Sequence, residues 1–155
     1  MLDNLQINDI LAIIVVAIGI LLLIYFAGKT LITANLFQQG VNLSQQKDYP
    51  GAEAAFRKVI NINSTNDVVR LFLGDVLKAQ AKMTEATELY QEVIQRSPKN
   101  PDAYLRLANI LMQQNQQEEA TINLRKSQEL FQKQRQPQKA AKISQVLEKM
   151  SAKST

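Results

Sequence analysis

The chain contains no Cys, no His and no Trp. The first two absences exclude disulfides, thiolate chemistry and His/Cys metal sites. They also remove the usual general base of hydrolases and transferases. Glycine (5) and proline (4) are scarce in 155 residues, so strand-and-turn architectures and Gly-rich phosphate loops are not expected. Glutamine takes up much of the room, at 18 residues, beside abundant Ala, Leu, Glu and Lys. That composition predicts an almost wholly helical protein, and the length allows one domain with an appendage.

One stretch lacks charge altogether. From Ile10 to Gly28, 19 residues carry no ionisable group more polar than Tyr25. As a helix, at about 1.5 Å per residue, they match the hydrocarbon thickness of a bilayer. A soluble core helix would show a polar face over that length. A signal peptide would carry a basic start and a shorter apolar run. The preceding residues instead hold Asp3 and Asp9 and no Lys or Arg. The expectation is a transmembrane helix over 10–28, preceded by a short acidic tail over 1–9. All 18 Lys and Arg follow it, so the positive-inside rule puts the N-terminus outside and the body in the cytoplasm. Between Lys29 and Asn35 the chain is too short and too apolar for a flexible linker, so the membrane helix should run straight into the body.

The body repeats. Gly40, Gly74 and Ala108 are each 34 residues apart; so are Leu43, Leu77 and Leu111, then Ala52, Ala86 and Ala120, then Phe56, Tyr90 and Leu124. A period in this range marks a stack of supersecondary units, each burying its neighbour's apolar face. Pro50, Asn63-Ser64-Thr65-Asn66 and Ser97-Pro98-Lys99-Asn100-Pro101 fall where helices should break. These columns resemble the tetratricopeptide repeat (TPR), with copies at 33–66, 67–100 and 101–134. The pattern departs at Gln39, at Ser64, at Ser127 (where Val59 and Val93 stand in the earlier copies), and in the missing proline at the end of the third copy. A polar-faced capping helix is expected over 138–150, where Ala141, Ile143, Val146, Leu147 and Met150 make one stripe. Residues 151–155 then form a flexible tail. The fold class is all-α: one transmembrane helix, then a short TPR-like solenoid.

The resemblance implies a concave groove lined by the first helix of each repeat. Its positions here are Phe37 and Val41, then Leu71, Phe72, Asp75 and Lys78, then Leu105, Arg106, Asn109, Met112 and Gln113, with Val68 and Ala79 at the margins. Some TPR domains hold chaperone C-terminal carboxylates with a Lys/Asn/Arg clamp. Only Arg106 fits that set, and Phe37, Val41 and Phe72 stand where the clamp needs polar groups. The implied groove is apolar and amide-rich, suited to a helix or extended peptide. For Phe37, Leu71 and Phe72 the competing role is to complete the core.

Residues 125–155 hold 8 basic and 2 acidic side chains, against 10 of each over 29–124. Lys133, Arg135, Lys139, Lys142 and Lys149 therefore form a candidate basic patch for anionic lipid or an acidic partner. No stacking aromatics accompany it, so nucleic acid is not the expected partner. The carboxylates are scattered, and no enzyme activity, cofactor or metal is expected. The layout also resembles small membrane-anchored TPR proteins of cyanobacteria, some of which, there and in plastids, assist assembly of photosystem I. That resemblance implies a scaffold or assembly factor in a thylakoid or plasma membrane. A constitutive small subunit of a membrane complex and a periplasm-facing envelope scaffold are the alternatives.

Overall fold

A computed structural model describes residues 7–153. Among these the chain forms seven α-helices and no strand: α1 (Ile7–Gln45), α2 (Tyr49–Ile62), α3 (Asp67–Ala79), α4 (Met83–Arg96), α5 (Pro101–Gln113), α6 (Gln117–Lys133) and α7 (Pro137–Lys153). Successive helices pack as neighbours, and α3 also touches α5. The result is a TPR-like solenoid.

Local chemistry sets the helix ends. The Asp48, Asn66 and Asn100 side chains each accept a backbone N–H in the first turn of α2, α3 and α5, at 3.0–3.1 Å. Pro101 and Pro137 open α5 and α7, where the missing N–H costs nothing. Residues 1–6 of the expected acidic tail lie outside the described residues, and Asp9 sits in the first turn of α1. The flexible tail expected from residue 151 is corrected: Ser151–Lys153 are the last residues of α7. Lys149 near that terminus suits the negative end of the helix dipole. Residues 154–155 lie outside the described residues.

The core is built on size complementarity between paired helices. Gly40 on α1 faces the Phe56 ring of α2, and a Cβ there would stand 2.6 Å from the ring. Gly74 faces Tyr90 in the same way. In the third copy Ala108 and Leu124, both buried, occupy the same columns. Phe56, Tyr90, Leu124 and Phe131 are fully buried. Ser127, which breaks its column, is also buried, and its hydroxyl donates to the Pro101 carbonyl at 2.8 Å. A buried polar group with its partner in place carries little penalty.

Arg70, which stands where the other copies have Leu36 and Tyr104, is 5% exposed. Its guanidinium lies 2.9 Å from Glu92 and 4.0 Å from Asp67, and Asp67 in turn accepts from Ser97 at 2.6 Å. Glu53 ties α2 to the α3–α4 turn through Lys82 and Gln80. Burial pushes its carboxyl up, but hydrogen bonds from Lys82, Gln80 and Arg57 outweigh that and hold it at about 2.

The three short turns inside the helix pairs, and the α6–α7 turn, share one device. Lys47, Ala81, Asn115 and Arg135 have φ between 57° and 64°. Side-chain-bearing residues hold this left-handed conformation at a cost of about 1 kcal/mol. Ala81→Gly should therefore raise stability by roughly 0.5–1 kcal/mol. Denaturant melts of the detergent-solubilised chain, followed by circular dichroism, measure this; no gain would mean that the turn is unstrained. In the same assay Gly40→Ala should cost about 1–3 kcal/mol by overpacking. Adding Phe56→Leu, which recreates the Ala108/Leu124 pairing, should recover part of that loss.

Candidate functional site: the shared face of α1, α3 and α5

The first helix of each pair contributes to one face, and the structure places the expected groove residues on it unequally. Phe37, Phe56 and Phe72 form an aromatic trio across α1, α2 and α3. Phe37 meets Phe72 edge-on at 5.2 Å, and the other two centroid distances are 5.8 and 5.9 Å. Phe37, Val41 and Phe72 are half-buried against the core. Leu71 is 5% exposed and belongs to the core outright, which corrects its assignment to the groove. A helix residue one position away from an inner-face residue is rotated by about 100°, and for Leu71 that rotation turns the side chain inward.

Leu105 and Met112 are also taken up. They pack on a second cluster in which Ala140 and Ile143 of α7 join Ala108, Leu124 and Phe131. The capping helix thus contributes to the cluster on which the apolar side chains of α5 pack, an arrangement that no local pattern announces. Asp75 and Arg106 hold one another. Arg106 Nε donates to both Asp75 oxygens at 2.9 and 3.1 Å, and Tyr90 donates its hydroxyl to Asp75 at 2.8 Å. Burial, the Asp75 charge and this hydrogen bond push the Tyr90 phenol far up, against a smaller opposing pull from Arg106. The only clamp-like cation is thus committed to a brace between the second and third copies.

Lys78 and Asn109 are half-exposed and Gln113 is exposed. Val68 at 56% and Ala79 are exposed on α3. The open surface of this face is accordingly polar with small apolar spots, drier only where the edges of Phe37, Val41 and Phe72 reach it. This corrects the expectation of a mainly apolar groove: its large side chains are largely spent on packing.

The basic patch expected on the cap is not one patch. Lys133 pairs with Glu129, whose carboxyl is held below its usual range first by the Lys133 hydrogen bond and then by the charge of Lys126. Lys139 lies 5.0 Å over the Phe131 ring. Lys142 and Lys149 lie further along α7, with Lys149 some 15 Å beyond Lys139 at helical rise. Among the described residues no group of His, Cys, Asp and Glu could hold a metal ion.

The family model described as tetratricopeptide repeat matches residues 77–143. No curated protein matches the chain. Solved structures share its shape. The Yersinia enterocolitica type III secretion chaperone SycD, in complex with a peptide of the translocator YopD, is 22% identical with a TM-score of 0.68, covering 79% of this chain and 94% of that one. PcrH from Pseudomonas aeruginosa is 18% identical with a TM-score of 0.72, covering 77% and 91%. The TPR2B domain of yeast Sti1, in a complex with pHsp70, is 18% identical with a TM-score of 0.73, covering 79% and 98%. At these identities the likeness is one of fold. The tetratricopeptide match spans less than half of the chain, and it agrees with the shared helical-repeat fold.

If Asp75, Arg106 and Tyr90 brace the solenoid, Arg106→Met and Asp75→Asn should each cost about 1 kcal/mol, the partial exposure of the pair keeping the figure small. The double variant should lose less than the sum. Strict additivity in urea melts would show that the brace contributes nothing.

Proposed function

We propose that this chain is a membrane-anchored adaptor. Residues 10–28 of α1 cross a bilayer, and the solenoid holds a protein partner on its inner face on the cytoplasmic side, in the assembly or stabilisation of a membrane complex. The observation that carries the reading is the 39-residue α1. One unbroken helix supplies both a long exposed apolar stretch and the first wall of the solenoid. Among the described residues, the exposed large hydrophobic side chains beyond α1 are only Val68, Ile122 and Val146. The solenoid is thus well covered, and the apolar part of α1 is uncovered from Ile10 to Phe26 with a single approach to the rest of the chain at its end. Exposure on that scale calls for lipid or other helices.

The complexes of SycD with a YopD peptide and of the Sti1 domain with pHsp70 support binding on the same fold. The adaptor acts by binding, not turnover. Anchoring restricts the partner search to the membrane plane and raises effective concentration. The layout's likeness to small cyanobacterial anchored proteins points the search for the client to photosynthetic complexes.

The test is a mild-detergent pull-down through a C-terminal tag, comparing the natural chain with Val68→Asp/Ala79→Lys and with Ile122→Asp. Both changes on α3 agree with its dipole, so the fold should survive. The expected result is loss of the partner set in the α3 double variant alone. Retention of the same partners there would move the contact to α1 or α7.

A further inference from the structure

The solenoid has two edges, and they differ in charge. One edge is made by the ends of α2, α4 and α6 and the turns that follow them. Asn61 and Ile62, at the end of α2, share a cleft with Gly28, Lys29 and Ile32 of α1. Arg96, at the end of α4, donates to the Ser64 carbonyl at 2.7 Å. Gln134, just past α6, donates to the Lys99 carbonyl at 2.8 Å. These contacts chain the four segments side by side, beginning where α1 leaves its uncharged stretch. Residues 62–69, 96–103 and 133–139 hold Arg96, Lys99, Lys133, Arg135 and Lys139 against Asp67 and Asp102, with Lys29 beside them. Arg96 and Lys133 are committed to Asp67, Glu92 and Glu129. Lys29, Lys99 and Arg135 form no ion pair among the described residues, and Lys139 has only a ring beneath it. The opposite edge is mixed: Lys47 and Lys82 against Asp48, Glu85, Glu118 and Glu119 over 46–51, 80–85 and 114–119.

Apolar surface reaches the same basic edge. Leu31 at 68% and Ile32 at 55% exposure continue the lipid-compatible side of α1 past Lys29, a residue long enough to lift its ammonium to the headgroup level. A helix rising through a bilayer from 10 to 28 therefore delivers this edge, and not the mixed one, to the headgroup layer.

We propose that the edge formed by Lys29, Lys99, Arg135 and Lys139 docks flat on anionic phospholipid headgroups. The solenoid then stands on the bilayer with the turns at 46–48, 80–82 and 114–116 pointing away and its inner face open sideways. The docking rests on the anchoring of α1 proposed above. Lys142 and Lys149, further along α7, take no part. Headgroup attraction of this kind falls off within a Debye length, so it needs the close approach that the short Lys29 junction enforces.

The natural chain has no Cys, so single fluorophores can be placed without background. The full chain is reconstituted in phosphatidylcholine vesicles with or without phosphatidylglycerol. It is labelled at Ser64→Cys on the basic edge, Gln114→Cys on the far edge, or Ile18→Cys inside α1, and quenched by headgroup-spin-labelled lipid or by aqueous iodide. Expected are strong lipid quenching at 64 with anionic lipid, weak quenching at 114, and protection from iodide at 18. Lys99→Glu/Arg135→Glu/Lys139→Glu, or high salt, should lower the docked-to-free ratio at 64 about tenfold or more, while Lys142→Glu/Lys149→Glu should not. Protection at 18 with equal quenching at 64 and 114, or no dependence on phosphatidylglycerol, overturns the docking and leaves the anchor standing. Iodide access at 18 overturns both.

Discussion

The close approach of helix to helix within each repeat is the constraint on which the rest depends. Gly40 and Gly74 leave room for a ring from the partner helix, and the rings of Phe56 and Tyr90 fill it. The distance between paired helices then follows, and with it the lateral step to the next pair. The third copy reaches the same spacing with less relief, Ala108 against Leu124, since a smaller knob needs a shallower hole. Volume is conserved across the pair instead of the residue type, the kind of exchange a packed core tolerates best. The aromatic trio depends on it too: Phe37 and Phe72 meet across Phe56 only because Gly40 lets Phe56 in so far.

The second constraint is that α1 carries two unlike surfaces on one backbone, an exposed apolar stretch and a wall of the solenoid. Its first part is rich in Ile and Val, poor helix formers in water, and exposes them all round. In hydrocarbon the backbone has no alternative to its own hydrogen bonds, so propensity stops deciding the matter. Its last part obeys ordinary rules, with Leu36, Phe37, Val41 and Leu43 turned to the core and Gln38 and Asn42 turned out. No residue between the two parts breaks the helix: Gly28 keeps helical geometry, and a Cβ there would meet nothing within 4 Å.

How much could be read from the residues follows from this division. Periodicity is a property of buried faces, so the helix pairs and the small-to-large columns stood out in the chain itself, and so did the continuous helix through Lys29. The fine assignments on the inner face did not, because they depend on contacts between segments far apart. Leu71 faces inward by a rotation that a repeat pattern from other chains fixes only loosely. Leu105 and Met112 pack on a cluster completed by α7, which follows Arg135, a non-glycine residue in a left-handed turn. That turn repeats the hydrogen bonds of the Ala81 turn, Gln136 to Phe131 matching Lys82 to Leu77. Lys47, Ala81, Asn115 and Arg135 have nothing in common as side chains; the conformation is imposed by the helices that the turn must join. Arg70, a buried cation, sits in a column otherwise held by Leu36 and Tyr104, and Asp67 three residues earlier was the one local sign of its pairing.

These corrections bear on how such a surface can recognise anything. A groove rich in free aromatic side chains would bind many apolar segments. Here the rings already pack on one another, the arginine is already paired, and α7 closes one end. What is left offers a partner amides, a lysine and small apolar spots on helices that cannot move much, because Asp75, Arg106 and Tyr90 fasten neighbouring copies. A surface of that kind gains affinity from fit and pre-organisation more than from buried area. Under the anchoring proposed above, the unbroken helix at Lys29 extends the same logic to the membrane. A partner held by this face would meet it at one height and one range of angles above the bilayer, and that geometric restriction would select among membrane complexes that a tethered solenoid would treat alike.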